Sequence, residues 1–83
     1  MPTICKFLGI VIKMHFAGQE HNPPHVHVYV GEKSALMKIE DGSIMQGAIP
    51  QNKIKLAKSF VEAYKKELLE MWETENIYYI DEK

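Results

Sequence analysis

The chain contains no arginine: all ten of its basic residues are lysine. Bidentate arginine is the commonest means of reading guanine or gripping phosphate, so a sequence-specific DNA reader is not expected. A codon bias toward lysine accounts for the same composition equally well. Acids and bases balance to a net charge of −1, which gives no global pull toward nucleic acid. Cys5 is the single cysteine, so no internal disulfide can form. It lies among Ile4, Phe7 and Leu8, where a packed, inert thiol is expected. No apolar run approaches the ~20 residues of a membrane-spanning helix. The start lacks a basic flank, and Lys6 and Lys13 interrupt its apolar stretch, so an export leader is not expected either. These absences together predict a reducing, cytoplasmic setting without a membrane partner.

What is present reads as one small globular domain over residues 1–83. The hydrophobic fraction is 46% and the charged fraction 25%, ordinary values for a folded domain. A chain of this size buries only about 60–65% of its unfolded surface. A protein partner or a second copy would help to complete so small a core.

Thr3 to Leu8 is compatible with a strand, and Gly9 marks a turn or bulge. From Ile10 the alternation is clean: Ile10, Ile12, Met14 and Phe16 share one face, and Val11, Lys13 and His15 the other. Period two with one apolar face predicts a half-buried strand. Ala17 to Pro24 reads as a loop stiffened by two consecutive prolines. His25 to Val30 is the next strand, with Val26, Val28 and Val30 on one side and His25, His27 and Tyr29 on the other. Ala35 to Glu40 resumes the alternation, and Asp41-Gly42 predicts a two-residue hairpin that sets Ile39 opposite Ile44 and Met37 opposite Gln46. Pro50 suits the first position of a helix. Ile54, Ala57, Val61, Tyr64, Leu68 and Met71/Trp72 then recur at three- and four-residue steps, flanked by Phe60 and Leu69. The expected fold is α+β: a meander-like antiparallel sheet of about five strands over about 3–47, packed on one long amphipathic helix over about 50–74. The tail 75–83 contains Ile77-Tyr78-Tyr79-Ile80, which is β-prone enough for a short terminal strand.

Antiparallel pairing of the strands on either side of the proline loop would put His15, His25, His27 and Tyr29 on the face opposite the apolar rows. His25 and His27 would then have Cα atoms about 6.5–7 Å apart, close enough for both imidazoles to reach one divalent, zinc-like ion. His15 or His21 would supply a third ligand, and three nitrogens plus an open position make a hydrolytic metal arrangement. The same side chains could instead engage an organic anion, RNA or a partner, or simply brace the proline loop. On the helix, Lys53, Lys55 and Lys58 stand near the start and Glu67, Glu70, Glu73 and Glu75 near the end. That order opposes the helix dipole. An anion-binding helix start formed with Lys53, Lys55 and Lys58 would explain it, as would a solvated face with small penalties.

The Met1-Pro2-Thr3-Ile4 opening, Gly9-Ile10 with the Ile12–Phe16 strand, and His21-x-Pro23-Pro24-His25-x-His27 together resemble the small bacterial DUF4160 family. Gly31-Glu32, Gly47-x-Ile49-Pro50 and Glu67-Leu68…Trp72 agree with the same pattern, so the likeness covers nearly the whole chain. Glu20 stands where the family commonly has aspartate, and Val26 where an aromatic often stands. The resemblance implies no reaction and no catalytic residue. It implies membership of a two-gene, toxin–antitoxin-like module, and hence a small protein partner. The leading expectation is a non-enzymatic binding or regulatory component acting with that partner or as a homodimer. The surplus apolar side chains Leu36, Met45, Leu56 and Tyr79 fit this expectation. The alternative is a histidine- or metal-dependent hydrolase, such as a ribonuclease-type toxin. Nucleic acid is the weaker of the partner expectations.

Overall fold

A computed structural model describes residues 3–14, 24–74 and 76–80. Its sheet is a five-stranded antiparallel meander, β1 (Thr3–Phe7), β2 (Ile10–Lys13), β3 (His25–Val30), β4 (Lys33–Lys38) and β5 (Ile44–Gly47), in that spatial order. The expected meander is therefore what the chain builds. Leu8 and Gly9 form the two-residue turn between β1 and β2, both with positive φ (48° and 80°). That pair of values belongs to the hairpin turn whose twist matches right-handed strands.

The register decides which side chains meet the helices. Ile12 pairs with Val28, and Val28 with Ala35, while Val26 pairs with Met37. All five are buried, together with Ile10 and Met14. On β1 the register shifts between Thr3 and Cys5. A bulge there places consecutive residues, Ile4 and Cys5, in the core, where strict alternation would expose one of them.

Two features differ from the sequence reading. The expected single long helix is two helices, α1 (Gln51–Ala63) and α2 (Lys65–Thr74), with a break at Tyr64 (φ −114°, ψ 24°). No proline or glycine causes it. A straight helix of 24 residues would run about 36 Å at 1.5 Å per residue, which exceeds the 31 Å longest dimension of the molecule. The break redirects α2 so that Leu68 and Met71 join Ala57, Phe60 and Val61 in one core. The backbone bonds Tyr64 N–H to Phe60 O (3.0 Å) and Leu68 N–H to Tyr64 O (2.9 Å) carry across it.

The second difference is the β4–β5 turn. Met37 pairs with Ile44 and Leu36 with Gln46, so the Asp41-Gly42 two-residue register is not used. The turn is longer, with Lys38 N–H bonded to Ser43 O and Gly42 N–H to Lys38 O, both at 2.8 Å. Burial of Ile39 explains the change: it leaves the strand, enters the core, and donates its N–H to Pro24 O at 3.0 Å. Met45 becomes the extra residue on β5 and stays exposed.

The tail forms no terminal strand among the described residues. It lies beside β1 through one backbone bond, from Ile80 N–H to Ile4 O (2.7 Å), with Ile80 buried and Tyr78 and Tyr79 exposed.

Candidate functional site

β3 presents a row of rings on the sheet face away from the helices. Lys13 pairs with His27, Val11 with Tyr29, and His25 with Lys38, which fixes their common side. His25 and His27 have ring centroids 5.5 Å apart, and Tyr29 lies nearly parallel to His27 (17°) at 6.4 Å. At the other end of the row Trp72 of α2 stands 5.1 Å from His25. The helical layer thus reaches round the start of β3, and His25 is only 6% exposed. Lys13 Nζ lies 5.4 Å from the centre of the Tyr29 ring, within cation–π range. The result is a ladder Trp72–His25–His27–Tyr29 with a lysine at its open end.

The predicted parity of His25, His27 and Tyr29 is what the strand pairing gives. His15 and His21 lie outside the described residues, so a third imidazole has no described position. Among the described residues no group of three or more His, Cys, Asp or Glu side chains is placed to hold a metal ion. What the pair does make is ring contacts, which carry roughly 0.5–1.5 kcal/mol each beyond area burial. Trp72 entered the sequence reading only as part of the helix stripe. No local spacing signals its meeting with His25, because the break at Tyr64 determines where α2 points.

The three helix lysines do not converge. Lys53 Nζ donates to Leu8 O at 2.6 Å, bracing the β1–β2 turn. The Lys58 stem lies over Gly42, at the opposite end of the sheet. Lys55 is exposed on α1. Pro50 stands at the N-cap, one residue before α1 rather than at its first position, and the helix has no side-chain cap and no acid in its first turn. Only Lys53 has a described bond of its own, and that bond is to backbone rather than to an anion site.

A second feature lies beside Lys53. Phe7, Leu8, Leu56, Ser59, Phe60 and Ala63 line an open depression of about 280 Å³ between the β1–β2 turn and α1. Phe60 forms its floor, packed against Phe7 (5.4 Å) and Tyr64 (4.9 Å). Leu8 forms its lip, 66% exposed, in the left-handed backbone region. A branched side chain in that region costs about 1–2 kcal/mol. The Phe7-Leu8-Gly9-Ile10 spacing held the signal for this hairpin, although Gly9 alone drew attention in the sequence.

No described helix is long and apolar enough to cross a membrane. No curated protein and no solved structure matches the chain. A family model described as a domain of unknown function, DUF4160, matches residues 9–73, from the turn glycine through the whole ladder to the last turn of α2. The ladder, the proline-histidine motif that starts it and the two helices behind it are thus all within the matched span, and the chain belongs to the DUF4160 family.

Proposed function

We propose that the protein is a non-enzymatic binding component that docks a small protein partner in the depression between the β1–β2 turn and α1. The observation that carries this reading is Leu8. A large apolar side chain is held two-thirds exposed, on a backbone conformation that asparagine or glycine would adopt at lower cost. The hairpin and the Lys53 bond account for the backbone, but not for an exposed leucine at this position, which points to a functional surface. Leu56 and Phe60 continue the apolar surface into the depression, so an apolar side chain of a partner would be desolvated there. The family resemblance points the same way, toward a two-gene, toxin–antitoxin-like layout in which the neighbouring reading frame encodes that partner.

Co-expression with the product of the neighbouring reading frame, followed by size-exclusion chromatography with light scattering, tests this. A stoichiometric complex is expected, lost in Leu56→Glu while the variant alone keeps its circular dichroism spectrum. A homodimer abolished by Leu56→Glu would assign the same surface to a second copy. A strict monomer under both conditions would sink the proposal.

A further inference from the structure

The helices carry charges of both signs, but one face of the sheet is basic without a described acid, which the net charge of −1 conceals. The sheet face away from the helices carries Lys6 on β1, Val11 and Lys13 on β2, His25, His27 and Tyr29 on β3, Ser34, Leu36 and Lys38 on β4, and Gln46 on β5. Among the described residues none of these is acidic. Glu32, Glu40 and Asp41 lie in turns, and Glu62, Glu67, Glu70 and Glu73 lie on the helices. Adjacent strands are about 4.8 Å apart, and Lys13 faces His27 while Lys38 faces His25, two residues along, so the two lysines flank the β3 ring row about 12 Å apart. Lys6 extends the basic track one strand further.

Tyr29, half-buried at the open end of the ring row and flanked by cations, matches the chemistry of a single nucleic-acid strand. Bases stack on aromatic faces whatever their sequence, and a positive surface follows the phosphates. A single strand bends to such a sheet, as a duplex with its bases already stacked does not. The lack of arginine fits this mode, since stacking with point-charge lysines needs no bidentate reading of base edges. We propose that this face binds single-stranded nucleic acid, with Tyr29 stacking a base and Lys6, Lys13 and Lys38 meeting phosphates. His25, wedged under Trp72, and His27, packed between His25 and Tyr29 with its Nε2 buried, hold the row in place rather than meeting the ligand. The inference is independent of the Leu8 depression, which the β1–β2 turn and α1 build.

Fluorescence anisotropy with fluorescein-labelled U12 RNA, dT12 DNA and a 12-base-pair duplex tests it on the full chain. Saturable binding of U12 or dT12 below 100 μM protein at 50 mM salt is expected, and weaker binding of the duplex. Three phosphate contacts give a salt slope near −2, so affinity should fall about 20-fold between 50 and 200 mM salt. Lys6→Gln/Lys13→Gln/Lys38→Gln should flatten that slope. The equally charge-reducing Lys55→Gln/Lys65→Gln/Lys66→Gln should leave it unchanged. Tyr29→Leu keeps bulk and strand preference, and should weaken binding by about five- to a hundredfold through lost stacking. Failure of both single strands to bind at 100 μM overturns the proposal, as does a duplex bound as tightly. Equal losses in the two triple-lysine variants overturn it too. If the oligonucleotides fail and a protein complex depends on Lys13 and Lys38, the face belongs to a protein partner and the proposal is wrong.

Discussion

Replacing Leu8 by asparagine separates folding from docking, and the structure sets the size of the effect. Relief of the left-handed conformation should return about 1–2 kcal/mol, because asparagine tolerates it where leucine does not. Leu8 is two-thirds exposed, so the burial it forfeits is small, some 0.5–1 kcal/mol at about 25 cal/mol per Å². The Lys53 bond is to the Leu8 backbone oxygen and survives the exchange. The net expectation is a more stable protein, by roughly 0.5–1 kcal/mol. For a domain of this size that corresponds to a rise in Tm of about 2–8 °C. Thermal and urea unfolding followed by circular dichroism would measure it, with the urea slope unchanged if the denatured state is unaffected. Binding of the protein partner should weaken at least tenfold in the same variant. A Tm lowered by more than 2 °C would refute the reasoning, since Leu8 would then be packing for its own fold.

Three other perturbations follow from specific contacts. Gly47 has φ 85°, and a Cβ there would collide with the Ser34 carbonyl, which also accepts the Ala48 N–H. Gly47→Ala should therefore cost about 3 kcal/mol and lower Tm by more than 10 °C; a drop under 3 °C would show that β5 shifts freely. The Asp41 carboxyl sits below its ordinary value of 3.8, chiefly because it is hydrogen-bonded by the Ser43 side chain and then by the Ser43 backbone N–H (2.9 Å). A depressed folded value means this contribution is present above the ordinary value and lost as pH falls through the folded one. Asp41→Ala should thus flatten the acid limb of the stability curve below pH ~4, and a carbon-detected titration of Asp41 with its midpoint above 3.8 would contradict the contact. His25 and His27 act here as ladder rungs, so protein offered zinc and then desalted should retain less than a tenth of an equivalent. Retention of a full equivalent that His25→Ala removes would return the histidines to a metal role.

The sheet was legible because its signals are local. Val26 and Val28 against His25 and His27, and Ile10 and Ile12 against Val11 and Lys13, alternate cleanly enough to fix both faces before any pairing is known. The shared side of His25, His27 and Tyr29 followed from that parity alone. The helix break was not legible, since the apolar stripe runs through Tyr64 without a proline, glycine or change of period. It shows only in the packed whole, where the break at Tyr64 lets Leu68 and Met71 join the core that Ala57, Phe60 and Val61 enter from α1. The same reason hid the meeting of Trp72 with His25. The Asp41-Gly42 register failed because a strong turn dipeptide competed with burial of Ile39, and burial won. The lysines near the helix start suggested one anion site, yet they diverge because Lys53 is drawn to the Leu8 carbonyl and Lys58 to Gly42. Charge sorting over the sheet faces needed all four strand pairings together, and no window of sequence displays it.

The most direct test of the docking reading is a nitrogen-15 NMR titration of the protein with its purified partner. Amide shifts should concentrate at Phe7, Leu8, Leu56, Ser59, Phe60 and Ala63, while β3 and β4 amides remain in place. Shifts confined to the sheet face, or no shifts at a tenfold excess of partner, would contradict it.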